Sequence, residues 1–454
     1  VTTKIQDGTS SSRSGPVRSG MAALIGTTIE FYEFGIYGLL APTIAPLFFP
    51  DADPTAALLA TFLLFAIAFA IRPIGGIVLG RIGDATGRKN VLMATIVGMG
   101  IATAAIGLLP TYVQIGVLAP VLLLVCRLVQ GFFTGGEQVG ASTYVTESVQ
   151  DGKRGFYGAF MPTGVALGLG SASLVTGITS SLTTDAQMSD WGWRVPFLVS
   201  VPLIVVAILI RRHITESEEY LELAASGHRE TSPVRETFRS HRGALARVVL
   251  IGYGQNVGYW VGITFMSTFL IKFQGYSQSS VLWLVTFTTL GLAICMPLWG
   301  LLSDRIGRKP ILLGGFLGYA ILSFPMMSLM TRENFALAAT AFVVLALPFP
   351  MVQSMCYSIY TEQFPAPVRY TGMAISYNFA TIIGAGLSPY LATLLISSTG
   401  WDLAPSMLLT AGAVVSLVTL GVFTAVSPGT RKAEASNSLP TALPESADAT
   451  TRQD

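Results

Sequence analysis

The chain has 454 residues, 51% of them hydrophobic and only 11% charged, with a formal net charge of +2, and its mean hydropathy is +0.61. An ordinary soluble domain is about 25% charged, and a core this apolar would need far more charge outside it to stay in solution. A soluble enzyme, a disordered chain and a nucleic-acid-binding protein are thereby excluded, and the outside of this chain is expected to be lipid.

A spanning helix takes about 20 residues, so the length accommodates about a dozen. Residues 1–20 are Ser/Gly-rich, carry Lys4, Arg13 and Arg18, and read as a disordered cytoplasmic tail without the apolar core of a signal peptide. Apolar stretches then predict spans at 21–48, 56–79, 91–109, 116–137, 157–180 and 192–211. A polar linker follows over 213–243, and six more spans are expected at 244–272, 279–301, 310–330, 335–358, 372–397 and 403–427. Residues 428–454, rich in Ser, Ala, Thr, Pro and acids, read as a second disordered cytoplasmic tail. The units expected are thus a tail 1–20, a six-helix bundle 21–212, the linker 213–243, a second bundle 244–427 and the tail 428–454.

Cys126, Cys295 and Cys356 lie scattered in apolar stretches and form neither a disulfide framework nor a metal-ligand pattern. His213, His228 and His241 all fall in the central polar segment. No metal or cofactor is expected, and any proton carried through the membrane must travel on carboxylates.

Lys and Arg set the orientation. One set of loops holds Arg81, Arg88 and Lys89; Lys153 and Arg154; Arg211 and Arg212; Arg305, Arg308 and Lys309; and Arg369, while the opposite loops hold only Arg332. Both termini are therefore expected on the cytoplasmic side of the cell membrane. The chain also repeats itself. Gly80-Arg-Ile-Gly-Asp84-Ala-Thr-Gly87-Arg88-Lys89 follows span 2, and Gly300-Leu-Leu-Ser-Asp304-Arg-Ile-Gly307-Arg308-Lys309 follows span 8. Glu147 with Arg154 after span 4 is echoed by Glu362 with Arg369 after span 10, and Gly192-Trp193 by Gly400-Trp401.

The doubled G-x-x-x-D-x-x-G-R-K loop resembles the signature of the major facilitator superfamily. The resemblance covers essentially everything between the two tails and implies an all-α membrane protein of twelve transmembrane helices in two six-helix pseudo-repeats. Asp84 and Asp304 are expected to accept from Arg88 and Arg308, or from the N-terminus of a helix in the other half. With Glu147, Arg154, Glu362 and Arg369 they would form a cytoplasmic ion-pair network that gates that side, each exposed pair contributing about 1 kcal/mol or less. A narrower resemblance, to the metabolite:proton symporters, rests on Thr27-Thr28-Ile29-Glu30-Phe31-Tyr32-Glu33-Phe34-Gly35-Ile36-Tyr37-Gly38 in span 1. Ile71-Arg72-Pro73-Ile74-Gly75-Gly76, Arg127-Leu-Val-Gln130-Gly131 and Trp193-Arg194-Val195-Pro196-Phe197 fit it too. The chain departs from that family's usual pattern with Phe31 in place of Trp and Glu33 in place of Asp, the latter a longer carboxylate arm. That family takes up compounds such as shikimate, 2-oxoglutarate, citrate, proline and betaine.

Charges inside the spans carry the most information. Each costs about 2.5–3.5 kcal/mol at a helix centre, so each is expected to face a cavity or a partner. Glu30 and Glu33 are i, i+3 on span 1, and at 1.5 Å per residue they fall at similar depth to Arg72 and Arg127. Protonating one acid of this quartet would leave a net positive site able to hold an anionic substrate. Glu33 and Glu30 are the proton-coupling candidates, Glu33 preferred for its depth, and Arg127 and Arg72 the substrate-binding ones. The second half has no acid in its spans. There Tyr253, Asn256 and Trp260 share a face of span 7, Gln353, Tyr357 and Tyr360 a face of span 10 after Pro348 and Pro350 break the helix, and Tyr377 and Asn378 lie in span 11. Tyr253, Asn256, Gln353, Tyr357 and Asn378 are taken as substrate-lining.

The function expected is proton-coupled uptake of a small, carboxylate-bearing acid or zwitterion by alternating access, driven by the proton gradient without a cofactor, with a monomer sufficient. An uncoupled facilitator and a proton-driven efflux antiporter are the alternatives.

Overall fold

The structure is a computed structural model, and it describes residues 16–86, 88–135, 154–211, 233–365 and 368–423. The expected 4–5 loop with Glu147, most of the linker with His213 and His228, and both tails lie outside the described residues.

Twelve helical rods are found among the described residues. Span 1 lies within Pro16–Phe48. Span 2 is Pro54–Ala70 continued by Arg72–Thr86, with Ile71 between them in helical conformation. Spans 3 and 4 are Arg88–Leu108 and Leu118–Thr134, span 5 is Gly155–Leu182, and span 6 lies within Asp185–Leu209. Span 7 starts at Arg242–Tyr259 and continues to Phe273 through π-type turns at Trp260–Phe265 and Phe269–Phe273. Spans 8 to 12 are Gln278–Ile306, Arg308–Met330, Phe335–Glu362, Arg369–Thr399 and Ala404–Phe423. Helix is the state that satisfies every backbone N–H and C=O without water, which is why apolar runs of this length adopt it in lipid. Pro348 and Pro350 interrupt span 10 only at Leu347, and the rod runs on through that residue.

Span 1 is the central helix, buried over 89% of its apolar stretch against 33% for span 6. Small residues on span 5 let it approach span 1 backbone to backbone. A Cβ at Gly168 would lie 2.5 Å from the Thr28 carbonyl oxygen, and one at Gly164 2.5 Å from that of Leu24. On the other flank Tyr32 Oη donates to the Pro196 carbonyl of span 6 at 2.8 Å. The Trp193-Arg194-Val195-Pro196-Phe197 motif is structural: Arg194 Nη1 donates to the Gly107 and Leu109 carbonyls at the end of span 3, at 3.0 and 2.6 Å. These carbonyls have no partner within their own helix, and a cation there both bonds them and opposes the helix dipole.

The two halves meet along spans 5 and 8, which run antiparallel. Ser173 Oγ donates to the Leu282 carbonyl at 2.7 Å, and the Ser181 and Ser279 hydroxyls lie 2.7 Å apart at the end away from the basic loops. Replacing Gly168 by leucine should lower the melting temperature of the purified protein in detergent by several degrees, because overpacking costs about 1–3 kcal/mol. A Gly168→Ala protein should fall between it and wild type.

Candidate substrate and proton site

Span 1 presents different side chains to different neighbours. On an ideal helix residues i and i+3 stand about 60° apart, and that angle separates the two acids. Glu33 turns into the first half, where Thr103 Oγ1 of span 3 donates to its Oε2 at 2.9 Å. Gln130 of span 4 donates through Nε2 to the same hydroxyl at 2.7 Å, and Arg127 Nη1 donates to Gln130 Oε1 at 2.8 Å. Among the described residues no salt bridge joins Arg127 to Glu33 directly. Glu30 looks the other way, to the boundary between the halves, within electrostatic range of Arg72 and of Tyr259, Tyr357 and Tyr377. The expected single quartet is thus two groups: Glu33 with Arg127, and Glu30 with Arg72.

Phe34 lies between the two arginines. The Arg72 guanidinium carbon sits 4.4 Å from the Phe34 ring centre and 4.1 Å from that of Phe69. The Arg127 carbon sits 4.1 Å from the Tyr37 ring centre, 5.2 Å from Phe65 and 5.3 Å from Phe34. Aromatic faces are the one apolar surface that attracts a cation, and more so when it is desolvated. Arg127 is 0% and Arg72 4% exposed. Arg127 Nε and Nη2 and Arg72 Nε find no hydrogen-bond acceptor among the described residues, so these buried cations keep donors available for an anion.

The second half meets this site with a polar and aromatic wall. Gln255 Nε2 donates to Gln353 Oε1 at 2.9 Å, Tyr360 Oη donates to Gln255 Oε1 at 2.6 Å, and the Tyr357 and Tyr377 hydroxyls lie 3.0 Å apart. Phe31 stacks on Trp260 at 6.4 Å and meets Tyr259 edge-on at 5.7 Å, joining span 1 to span 7. Gln255 is the hub of this wall, and sequence reasoning passed over it for its neighbour Asn256. Asn256 and Asn378 instead bond the carbonyls of Gly252 and Ala374, four residues back in their own helices, at 2.8 and 2.9 Å. Tyr253 is half-buried, its backbone packed against Gly384 of span 11. Gln353 and Tyr357 stand in the wall, joined by a longer 3.5 Å bond.

At the end that carries the basic loops, Asp304 crosses between the halves. Its Oδ1 accepts from the Gly155 amide at 2.8 Å and its Oδ2 from the Phe156 amide at 3.1 Å. Of the two donors expected for Asp304, these are the helix N-terminus of the other half. Arg308 pairs instead with Glu362, and Arg369 Nε donates to the Phe364 carbonyl at 3.4 Å. The side chains of Asp84, Arg88 and Arg154, like Glu147, lie outside the described residues.

Two six-helix halves with buried charges between them define a membrane transporter. Residues 19–232 match the family model of sugar (and other) transporters, and residues 249–450 that of the major facilitator superfamily. A proline/betaine transporter of Escherichia coli is 33% identical over 407 residues, covering 88% of this chain and 81% of the relative. The inner membrane metabolite transport protein YhjE of Escherichia coli is 35% identical over 414 residues, covering 88% and 92%, and the shikimate transporter of the same species 31% over 431, covering 92% and 97%. A D-xylose-proton symporter shares the fold with a TM-score of 0.72 at 17% identity, covering 90% of this chain and 98% of that one. The chain belongs to the major facilitator superfamily, with its metabolite transporters as relatives, and it is a multi-pass membrane protein rather than an enzyme.

Each bond to Asp304 is expected to contribute about 1 kcal/mol. A cysteine pair at Gly158 and Ser358, where a Gly158 Cβ would lie 2.9 Å from Ser358 Oγ, should cross-link readily in a background without native cysteines. Adding Asp304→Ala should slow that cross-linking by up to about thirtyfold, since about 2 kcal/mol of closure is lost.

Proposed function

We propose that the protein takes up a small zwitterion or organic acid together with a proton, by alternating access. The observation that carries this reading is the pair of buried acid–arginine groups on spans 1, 2 and 4, Glu33 with Arg127 inside the first half and Glu30 with Arg72 at the meeting of the halves. A transporter of neutral solutes without coupling has no use for four charges at this cost. A carboxylate approaching Arg72 meets Glu30 beside it, so a substrate with its own cationic end fits the site better than a bare anion. The rings of Phe31, Tyr259 and Trp260 suit an alkylated ammonium, which is held by aromatic faces rather than by hydrogen bonds. Relatives named for proline/betaine and shikimate transport support both substrate types. Glu33 takes the proton, and Gln353 and Tyr357 face the substrate. Asp304 with the span 5 N-terminus, and Arg308 with Glu362, close the basic-loop side, to which the charge distribution assigns the cytoplasm and both termini.

Purified protein in liposomes, with an acidic outside, should accumulate labelled glycine betaine, L-proline or shikimate, and a protonophore should abolish the accumulation. Glu33→Gln should remove uphill uptake while the protein remains folded in the membrane; undiminished accumulation in that variant would exclude Glu33 from coupling. In the same preparation the accepted compound should raise the melting temperature at saturating concentration and others should not, because a ligand stabilises the state it binds.

A further inference from the structure

The hydrogen bonds from Arg127 to Glu33 form one chain with a direction. Arg127, Gln130, Thr103 and Glu33 are each at most 1% exposed. A guanidinium only donates and an ionised carboxylate only accepts. With those ends fixed, the Gln130 carbonyl must face Arg127 and its amide must face Thr103, as the 2.8 and 2.7 Å contacts show. The Thr103 hydroxyl is the variable link, because it has one proton to give and two acceptors in reach. Glu33 Oε2 lies at 2.9 Å and the Met99 carbonyl oxygen, one turn back in span 3, also at 2.9 Å.

We propose that Thr103 and Gln130 are positioning residues of the coupling step, a two-position relay that makes the hold on Arg127 depend on the protonation of Glu33. This rests on the proton-coupled reading given above. With Glu33 ionised, the hydroxyl proton of Thr103 points to the carboxylate, and all three bonds run from cation to anion. When Glu33 takes a proton, its new O–H donates to the Thr103 oxygen and the hydroxyl proton turns to Met99. One proton is gained, at Glu33, and no other group gains or loses one. The chain then has no anion at its end, and Arg127, which already holds Nε and Nη2 without an acceptor among the described residues, turns to an incoming carboxylate. Among the described residues, the titratable and charged groups about this relay are Glu30 and Tyr32 beside Glu33 on span 1, Tyr37 and Cys126 beside Arg127, and Arg72 across Phe34. Span 3 meets Glu33 with Thr103 and Gly100, which do not titrate.

Infrared difference spectra of the protein in liposomes, taken between high and low pH, test the relay without a substrate. A carboxylic-acid band should vanish in Glu33→Gln, move in Thr103→Val and return to its place in Thr103→Ser. A band unmoved by Thr103→Val would overturn the relay even if transport is as proposed. With glycine betaine, L-proline and shikimate as probes, Thr103→Val and Gln130→Leu should lower the ratio of gradient-driven accumulation to equal-concentration exchange by about fivefold, the effect of one hydrogen bond. Thr103→Ser should restore it. A merely structural role would lower both rates together and leave the ratio unchanged, which would overturn the proposal. A wild type that transports none of the three probes overturns the functional reading, and the coupling role with it.

Discussion

Four ionisable groups inside a lipid-embedded bundle must be solvated by the protein itself, and the rest of the structure follows from that constraint. Water would do this at no structural cost; here rings, amides and hydroxyls do it instead. Arg72 is held between Phe34 and Phe69, and Arg127 over Tyr37, with Gln130 as its hydrogen-bond partner. A helix supplying two acids and two of these rings must be surrounded on all sides, so span 1 takes the centre. Gly164 and Gly168 of span 5 are the means, since only a side chain without a Cβ lets the flanking helix come close enough to exclude lipid.

The same constraint sets how the molecule is divided. Contacts across the boundary are of two kinds: in the interior, rings of the two halves meet, as Phe31, Phe65 and Phe69 do with Trp260, and towards the ends the contacts are polar. Asp304 binds two amides at one end, and serine and tryptophan groups of spans 5 and 8 meet at the other, where Trp283 Nε1 donates to Ser181 Oγ at 3.0 Å. Each such bond contributes about 1 kcal/mol, so either end can part without unfolding a half.

Much of this was legible in the sequence, and the reasons differ by residue. Glu30, Glu33, Arg72 and Arg127 stand out because a charge in an apolar run has no bland explanation, and the doubled Asp84 and Asp304 loops because they recur at matching places. Neutral polar residues carry no such signal. Thr103 and Gln255 sit among small and polar neighbours common in packed helices, although Gln130, three residues after Arg127, was placed by helical spacing to bond it. Asn256 and Asn378 each bond their own chain four residues back, a contact that the sequence does not distinguish from one across the wall. The grouping of the four charges was beyond sequence reasoning, since similar depth does not reveal the 60° by which Glu30 and Glu33 diverge.

Phe34 gives that divergence a consequence. Its ring is the surface shared by Arg72, at 4.4 Å, and Arg127, at 5.3 Å. Two cations draw on the electron density of one ring, and each has an acid of its own on span 1 to one side. A change in the charge of either acid therefore alters the balance at the ring and is felt by the other arginine without any group moving far. Separate acids would otherwise make two independent sites. The shared ring joins the two acid–arginine groups, one facing into the first half and one facing the boundary between the halves.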